Sequence, residues 1–499
     1  MPRTRGERML SRRAALRLLA AGATAGAAAG CDRPREELVP YVAVPEHELP
    51  GTPLDYATTL ASVHGSGVGV IVTTYTGRPT KIDGNPAHPA SLGATGVHAQ
   101  AALVDLYDST RSQAPRRGTG TVGLDAFFAE LERQVAPLRA RGGAGLCVVT
   151  PPVASPTAAR LLGSLFADLP DARWFRHEPV ARDAARSAAV AALGAPLDAL
   201  YRLERARRVV TLDADLLNGM PGHLAHARRW ANARAAPRAD MPRLYAIEAQ
   251  PTPTGIRADQ RLALAAARVA DFAFGLAAAL GVPGGRSFAG SEHEQRWLDA
   301  LARDLGAQRG ASVVVPGPYL PAAVHELCHW INAALAATDG PLEYVRAIES
   351  EPVAPAGDVA ALCNEIRAGR VAALALVDRN PVYDAPNGAE LAELLAHVPF
   401  TVHVGARRDE TGATCAWHVP LLHDLESWGD LRAFDGTVSI SQPVVRPLVA
   451  GLSALDVYAA LGGAQADTQR AVRDTFERLA ADGGDERWHA ALRAGVVDG

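Results

Sequence analysis

The 499-residue sequence predicts an α/β protein made of parallel-sheet lobes with helices on both faces. Three observations predict it. Short apolar runs such as 145–150 (GLCVVT), 208–213 (RVVTLD) and 371–377 (VAALALV) have the unbroken hydrophobicity of strands buried on both faces. Segments of helical periodicity separate them, as parallel βαβ crossovers require. The chain is also longer than one ordinary core, so two or three lobes are expected.

Residues 1–31 read as a targeting segment. Ser11-Arg12-Arg13-Ala14-Ala15-Leu16-Arg17 matches a twin-arginine export pattern, and the apolar run from Leu18 to Gly30 is too short to span a bilayer. Ala28-Ala29-Gly30-Cys31 resembles a lipobox, which makes Cys31 the expected lipidation site. The expected location is the periplasmic face of the cytoplasmic membrane, with a lipid anchor on the membrane surface. Residues 32–60, rich in proline and acid, read as an extended surface arm.

Residues 68–75 (VGVIVTTY) follow as a strand, Thr76-Gly77-Arg78-Pro79 as a turn, and Lys81-Ile82 as a return strand. In Asn85-Pro86 and His88-Pro89 each proline fixes its own φ and extends the residue before it, which specifies a rigid, non-repetitive loop. A helix is expected over 99–107 and a polar linker over 112–121.

Helices are then expected at 123–141, 155–169, 223–235, 269–280 and 322–336. They alternate with strands at 145–150, 208–213, 244–248, 312–315, 371–377 and 400–404. The expected domains are 1–31 (signal), 32–120 (arm and small β-rich domain), 121–165 with 310–450 (first lobe), 166–309 (second lobe) and 451–499 (helical tail). No internal repeat is evident, and no glycine-rich phosphate fingerprint follows any strand.

The net charge of −4 includes six arginines against Glu7 in residues 1–30, so the body beyond them is mildly acidic, which argues against nucleic acid as partner. Cys147, Cys328, Cys363 and Cys415 are widely spaced and read as buried, inert thiols. His325-Glu326-Leu327-Cys328-His329 matches H-E-x-x-H on a helix. It could hold zinc through His325 and His329 with Glu326 as base, and with Glu343 or Glu349 as a third ligand; it also fits an ordinary helix of the α/β series. His223 and His226 read as a solvated helix face, and His403 and His418 as flanking a loop with Cys415. Asp409, Glu410, Glu426 and Asp430 read as surface loop carboxylates.

The stretch Gly77-Arg78-Pro79-Thr80-Lys81-Ile82-Asp83-Gly84-Asn85-Pro86-Ala87-His88-Pro89 resembles the G-R-x-x-K-I-x-G-N-P-x-H-P segment of the molybdopterin oxidoreductase superfamily (the formate dehydrogenase and DMSO reductase type). Thr254 to Asp259 resembles the family's T-x-x-x-A-D turn, Asn380-Pro381 its N-P loop, and Asp409-Glu410-Thr411 through Pro420 its E-T segment. Residues 425–430 (LESWGD) and 435–443 (DGTVSISQP) give a narrower resemblance, to the molybdopterin-like half of the iron–sulfur subunit of bacterial alternative complex III, a quinol:electron-acceptor oxidoreductase.

That resemblance implies a fold whose Gly77, Arg78, Lys81, Gly84, Asn85, Pro86, His88, Pro89, Asn380 and Pro381 are structural. Cluster-bearing relatives place three cysteines before the G-N-P motif and a fourth after it, yet residues 52–98 contain none. The pterin-clamping carboxy-terminal domain is also expected to be missing. The implied role is a cofactor-free, non-catalytic scaffold without catalytic residues. Its expected partners are a ferredoxin-like iron–sulfur protein, a multihaem cytochrome c and integral membrane quinol-binding subunits, with the iron–sulfur clusters and haem c in those partners. The alternatives are an active molybdopterin enzyme with a non-cysteine metal ligand, and a zinc peptidase centred on His325.

Overall fold

Hydrophobic alternation closes the first sheet. In the computed structural model, which describes residues 51–180, 182–237, 241–338, 340–349, 358–465, 467–480 and 484–497, β1 (Leu54–Ala61) pairs antiparallel with β2 (Gly67–Tyr75), and β2 with β3 (Arg78–Gly84). All of these elements lie in the unit Pro53–Gly499. Arg12, Arg13 and Cys31, and with them the export and lipidation expectations, lie outside the described residues. The return strand is thus longer than Lys81-Ile82, and part of the expected arm is a strand. Thr58 and Thr59 are fully buried in β1, with Thr58 Oγ1 donating to the Gln442 carbonyl at 3.0 Å.

The chain then lays down β4 (Arg116–Arg117), β5 (Gly120–Thr121), β6 (Leu146–Thr150) and β7 (Arg173–Arg176) before leaving for a second lobe. That lobe holds β8 (Leu197–Tyr201), β9 (Arg208–Leu212), β10 (Arg243–Glu248), β11 (Gln260–Ala263), β12 (Ser312–Pro316) and β13 (Leu342–Arg346). β14 (Ala373–Val377), β15 (Phe400–Gly405) and β16 (Trp417–Pro420) return to the first lobe, and β17 (Gly429–Arg432) and β18 (Val438–Ser441) form a ribbon. The large sheet has the order β5-β4-β16-β15-β14-β6-β7 and the second lobe's main sheet the order β11-β10-β9-β12. Contacts from β16 through β7, and throughout the second sheet, are parallel.

Two expectations change. β12 pairs with β9, so residues 312–346 belong to the second lobe and the first resumes near Asp358. The tail is helical (Ala454–Leu461, Thr468–Leu479, Asp485–Ala494), but Leu455, Tyr458, Phe476 and Trp488 share one apolar core with Phe127, Leu162 and Val402 of the first lobe. The two lobes also share a local arrangement: β11-β10-β9 is wound as β16-β15-β14 is, although the next strand over follows in the chain in the second lobe (β12) and precedes in the first (β6). β9 and β14 each end in an aspartate with left-handed backbone, Asp213 at φ 49° and Asp378 at φ 54°. Each of these aspartates donates its N–H to the neighbouring strand, to Ile247 or Val404, at 2.7 Å. Among the described residues, no helix is long and apolar enough to cross a membrane.

The motif loop is satisfied by its own neighbours. Asn85 Oδ1 accepts from the Ala87 N–H at 2.9 Å, and its Nδ2 donates to the Ala494 carbonyl at 2.7 Å. His88 is fully buried; its Nδ1 accepts from the Ala90 N–H at 3.2 Å and its Nε2 donates to Ser439 Oγ at 2.9 Å. Burial lowers its pKa to about 4, so the ring is neutral. Arg111 closes the stretch with a buried ion pair to Glu426 at 2.5 Å.

A Cβ at Gly84 would lie 2.3 Å from the Ala94 carbonyl oxygen, whereas one at Gly77 (φ 74°) meets nothing within 4 Å. Gly77→Ala therefore costs only the left-handed backbone penalty of about 1–2 kcal/mol, and Gly84→Ala lowers Tm by clearly more. Thermal unfolding of both variants checks this, and equal losses contradict the steric account.

Candidate functional site

In each lobe the strand order reverses at one point, between β14 and β6 in the first and between β9 and β12 in the second. The carboxyl ends of parallel strands diverge there and leave a crevice, the usual place for a ligand in such sheets.

The same hydrogen-bonded clamp follows the central strand of each lobe, after β14 in the first and after β9 in the second. In the first lobe, Asn380 Oδ1 accepts from the N–H of Thr411 at 3.1 Å and from its hydroxyl at 2.8 Å, while Thr411 Oγ1 accepts from the Val382 N–H at 3.1 Å. In the second, Asp215 Oδ1 accepts from the N–H of Thr254 at 3.1 Å and from its hydroxyl at 2.6 Å, while Thr254 Oγ1 accepts from the Leu217 N–H at 2.9 Å. Asp409 and Thr252 cap the short helices that carry these threonines. The N-P loop and the E-T segment are thus two halves of one device, with Pro381 buried between them.

The first-lobe crevice has a volume of about 400 Å³ and is acidic. Glu178, Asp378, Asp384, Asp424 and Asp430 line it, against the single guanidinium of Arg379. Arg379 already donates to Glu178 at 3.0 Å. Asp384 lies 2.6 Å from His177 Nε2, and Asp424 accepts from the Ala61 N–H at 2.9 Å. Asp430 is buried and accepts from Ser155 Oγ at 2.5 Å and the Thr157 N–H at 3.0 Å. Burial still pushes its pKa up. Among the described residues no donor reaches the Asp378 carboxylate. Its side chain is exposed to the crevice, and desolvation by the protein around that crevice raises its pKa to about 6; Arg379 opposes the shift and Asp424, Glu178 and Asp409 add to it.

Glu426 and Asp430 are therefore internal, not surface carboxylates. Besides Arg111, Glu426 accepts from the N–H groups of His423 and Leu448, each at 2.8 Å. Burial raises its pKa, and these donors outweigh burial to hold it below the usual range. His226 is likewise buried and not part of a solvated face. His403 and His418 face each other at one register of β15 and β16, stacked with Nδ1 atoms 2.9 Å apart. The four described cysteines are buried and free, and burial pushes Cys147, Cys328 and Cys415 up to about 12.

The H-E-x-x-H helix does not assemble a zinc site. His329 Nδ1 is 2.8 Å from the Tyr344 hydroxyl, Glu343 pairs with Arg202 and Arg205, and Glu349 pairs with Arg182 and Arg186. Among the described residues, no three His, Cys, Asp or Glu side chains converge on a metal position.

No protein-family model matches the chain. It is 26% identical over 455 residues, 82% of this chain and 65% of the relative, to the "Menaquinone reductase, molybdopterin-binding-like subunit" of Nitratidesulfovibrio vulgaris (Hildenborough). Acetylene hydratase from Pelobacter acetylenicus superposes with a TM-score of 0.60 at 12% identity, over 82% of this chain and 69% of that one. The chain shares the fold of that enzyme and resembles a subunit named molybdopterin-binding-like. It spans about two thirds of the length of that curated relative.

In its dinucleotide form, the pterin cofactor after which the molybdopterin oxidoreductases are named carries a diphosphate. Five carboxylates repel such a group, and the arginines of the two crevices, Arg379 and Arg182, are each paired with a carboxylate. The first-lobe crevice does not fit it.

A raised pKa means that Asp378 favours the folded state most when protonated. Its contribution is full below about pH 3.8 and lost as pH rises through about 6. Asp378→Asn, which also tolerates the left-handed backbone, raises Tm over wild type at pH 7.5 by more than at pH 4. Scanning fluorimetry at both values checks this; a gain independent of pH contradicts it.

Proposed function

We propose that this chain is a non-catalytic, molybdopterin-oxidoreductase-like subunit of a membrane-associated quinone/quinol oxidoreductase complex of the alternative complex III type. In this reading it is exported by the twin-arginine route and held on the outer face of the cytoplasmic membrane, with Cys31 as the lipid-bearing residue. It scaffolds an iron–sulfur half, a multihaem cytochrome c and membrane quinol-binding subunits, and electrons travel through those partners.

The observation that carries the reading is the carboxylate lining of the first-lobe crevice, where a polyanionic cofactor would meet Glu178, Asp378, Asp384, Asp424 and Asp430. The likeness to a subunit named molybdopterin-binding-like, in a menaquinone reductase, supports the assembly. The second reading, an active molybdenum enzyme, has one observation in its favour: the open Asp378 carboxylate is a non-cysteine group free to meet a metal.

Purification from membranes through a tag on this chain brings down haem c and iron–sulfur protein together with quinol-oxidising activity. In that complex Asp378→Asn leaves the activity within about twofold, whereas deleting the chain abolishes assembly. A loss of activity of a hundredfold or more with the complex intact supports the molybdenum enzyme instead. Recovery of the chain alone overturns the scaffold reading.

A further inference from the structure

The second-lobe crevice is built from different chemistry. It is a cavity of about 110 Å³ beside the carboxyl end of β12, lined by Tyr201, Met220, Cys328, Tyr344 and Phe434 among others. That is smaller than the cavity of about 150 Å³ that takes up a single benzene ring, so a ring in this open crevice stands partly outside it. Two of the residues lining the crevice are histidines that carry buried ring nitrogens without hydrogen-bond partners. His226 is 2% exposed and neither ring nitrogen has a partner; the Leu216 carbonyl lies near the ring but outside hydrogen-bond geometry. His325 is 4% exposed, and its Nε2 has none in hydrogen-bond geometry, with the Leu320 and Gly317 carbonyls near the ring. Asn332 provides the contrast. It lies two turns along the helix from His325 and is equally buried, yet its amide both donates to and accepts from Val314, at 2.9 and 2.8 Å.

Buried polar atoms without partners are costly and scarce, and two such side chains in the wall of one cavity point to a molecule that meets them when it enters. Burial lowers His226 to about 3 and His325 to about 4, so each ring is neutral and offers one N–H donor and one lone pair. The Tyr344 hydroxyl, 2.8 Å from His329 Nδ1, adds a third polar group. The charged lining residues Arg182 and Asp198 lie 3.5 Å apart, and Arg182 also donates to Glu349 at 2.8 Å, so the cavity presents no unbalanced charge. The rings of Phe434 and Tyr201 lie 5.4 and 6.2 Å from that of His226 and supply apolar edges.

We propose that the second-lobe crevice binds one uncharged, ring-sized molecule whose oxygens both give and accept hydrogen bonds, of the phenol or hydroquinone class, held by His226 and His325. The neutral lining leaves no purchase for a phosphate, and the mixed donor and acceptor set matches a ring hydroxyl. The H-E-x-x-H segment thereby acquires a role without zinc: it supplies one of the two binding histidines. The proposal stands apart from the assembly reading, because it concerns binding to the chain itself.

The test uses the full chain with ¹³C-labelled histidine, kept anaerobic, titrated separately with hydroquinone, toluene and guanosine. Hydroquinone is expected to bind with a Kd of about 1 mM or tighter, shifting two histidine ring signals. His226→Phe and His325→Phe each remove one of those signals and weaken binding about tenfold, and Tyr344→Phe weakens it less. Because His226 packs in a core, His325→Phe and Tyr344→Phe keep the test open should His226→Phe not fold. No hydroquinone binding at 10 mM, equal binding of toluene, binding of guanosine alone, or affinity unchanged in folded His325→Phe each overturns the proposal.

Discussion

A strand that ends in a left-handed aspartate sets the geometry of each lobe. Asp378 and Asp213 leave the sheet at φ 54° and 49° while their N–H groups stay bonded to the next strand. That turn aims the following residues, Asn380 and Asp215, at a threonine two segments away, and the threonine in turn fixes the backbone N–H of Val382 or Leu217. A left-handed backbone at a non-glycine residue costs of order 1 kcal/mol or more, and the clamp on either side holds it in place.

The two crevices share that frame and differ in what fills it. The first collects carboxylates, all but Asp378 engaged by donors from distant segments: Ala61 to Asp424, Ser155 and Thr157 to Asp430, Arg379 to Glu178. The second collects neutral imidazoles and aromatic rings. Neither lining offers an unpaired arginine to a diphosphate. The motif loop has been absorbed in the same way. Asn85 and His88 direct their hydrogen bonds to Ala494 and Ser439, so the loop joins the small sheet to the far end of the chain.

Much of this was legible in the sequence. The six strands expected between 145 and 404 fall where apolar runs place them, because a parallel sheet covered on both faces must be continuously apolar, while the helices Asp183–Leu193, Glu292–Gly306, Val359–Arg367 and Gly388–Leu395 were not among those expected. Strand β1 was not legible, since Thr58 and Thr59 look like surface residues until Gln442 and Ser441 arrive from nearly 400 positions away. Burial of Glu426, Asp430 and His226 was hidden for the same reason: Arg111, Ser155 and Phe434, which cover them, are remote in the chain. The likeness between the lobes was invisible as sequence because what they share is a few residues at unequal spacing (Asp213 and Asp378, Thr254 and Thr411), not a pattern. The H-E-x-x-H match misled because spacing on a helix says nothing of third ligands, and here Glu343 and Glu349 are held by arginines.

The central claim is that the first-lobe crevice does not accept a polyanionic pterin cofactor. The most direct measurement is the molybdenum and tungsten content of the chain purified from its own membranes, together with the fluorescence of oxidised pterin released on denaturation. The account predicts neither metal nor pterin above a small fraction of the protein. One equivalent of either metal with matching pterin would contradict it.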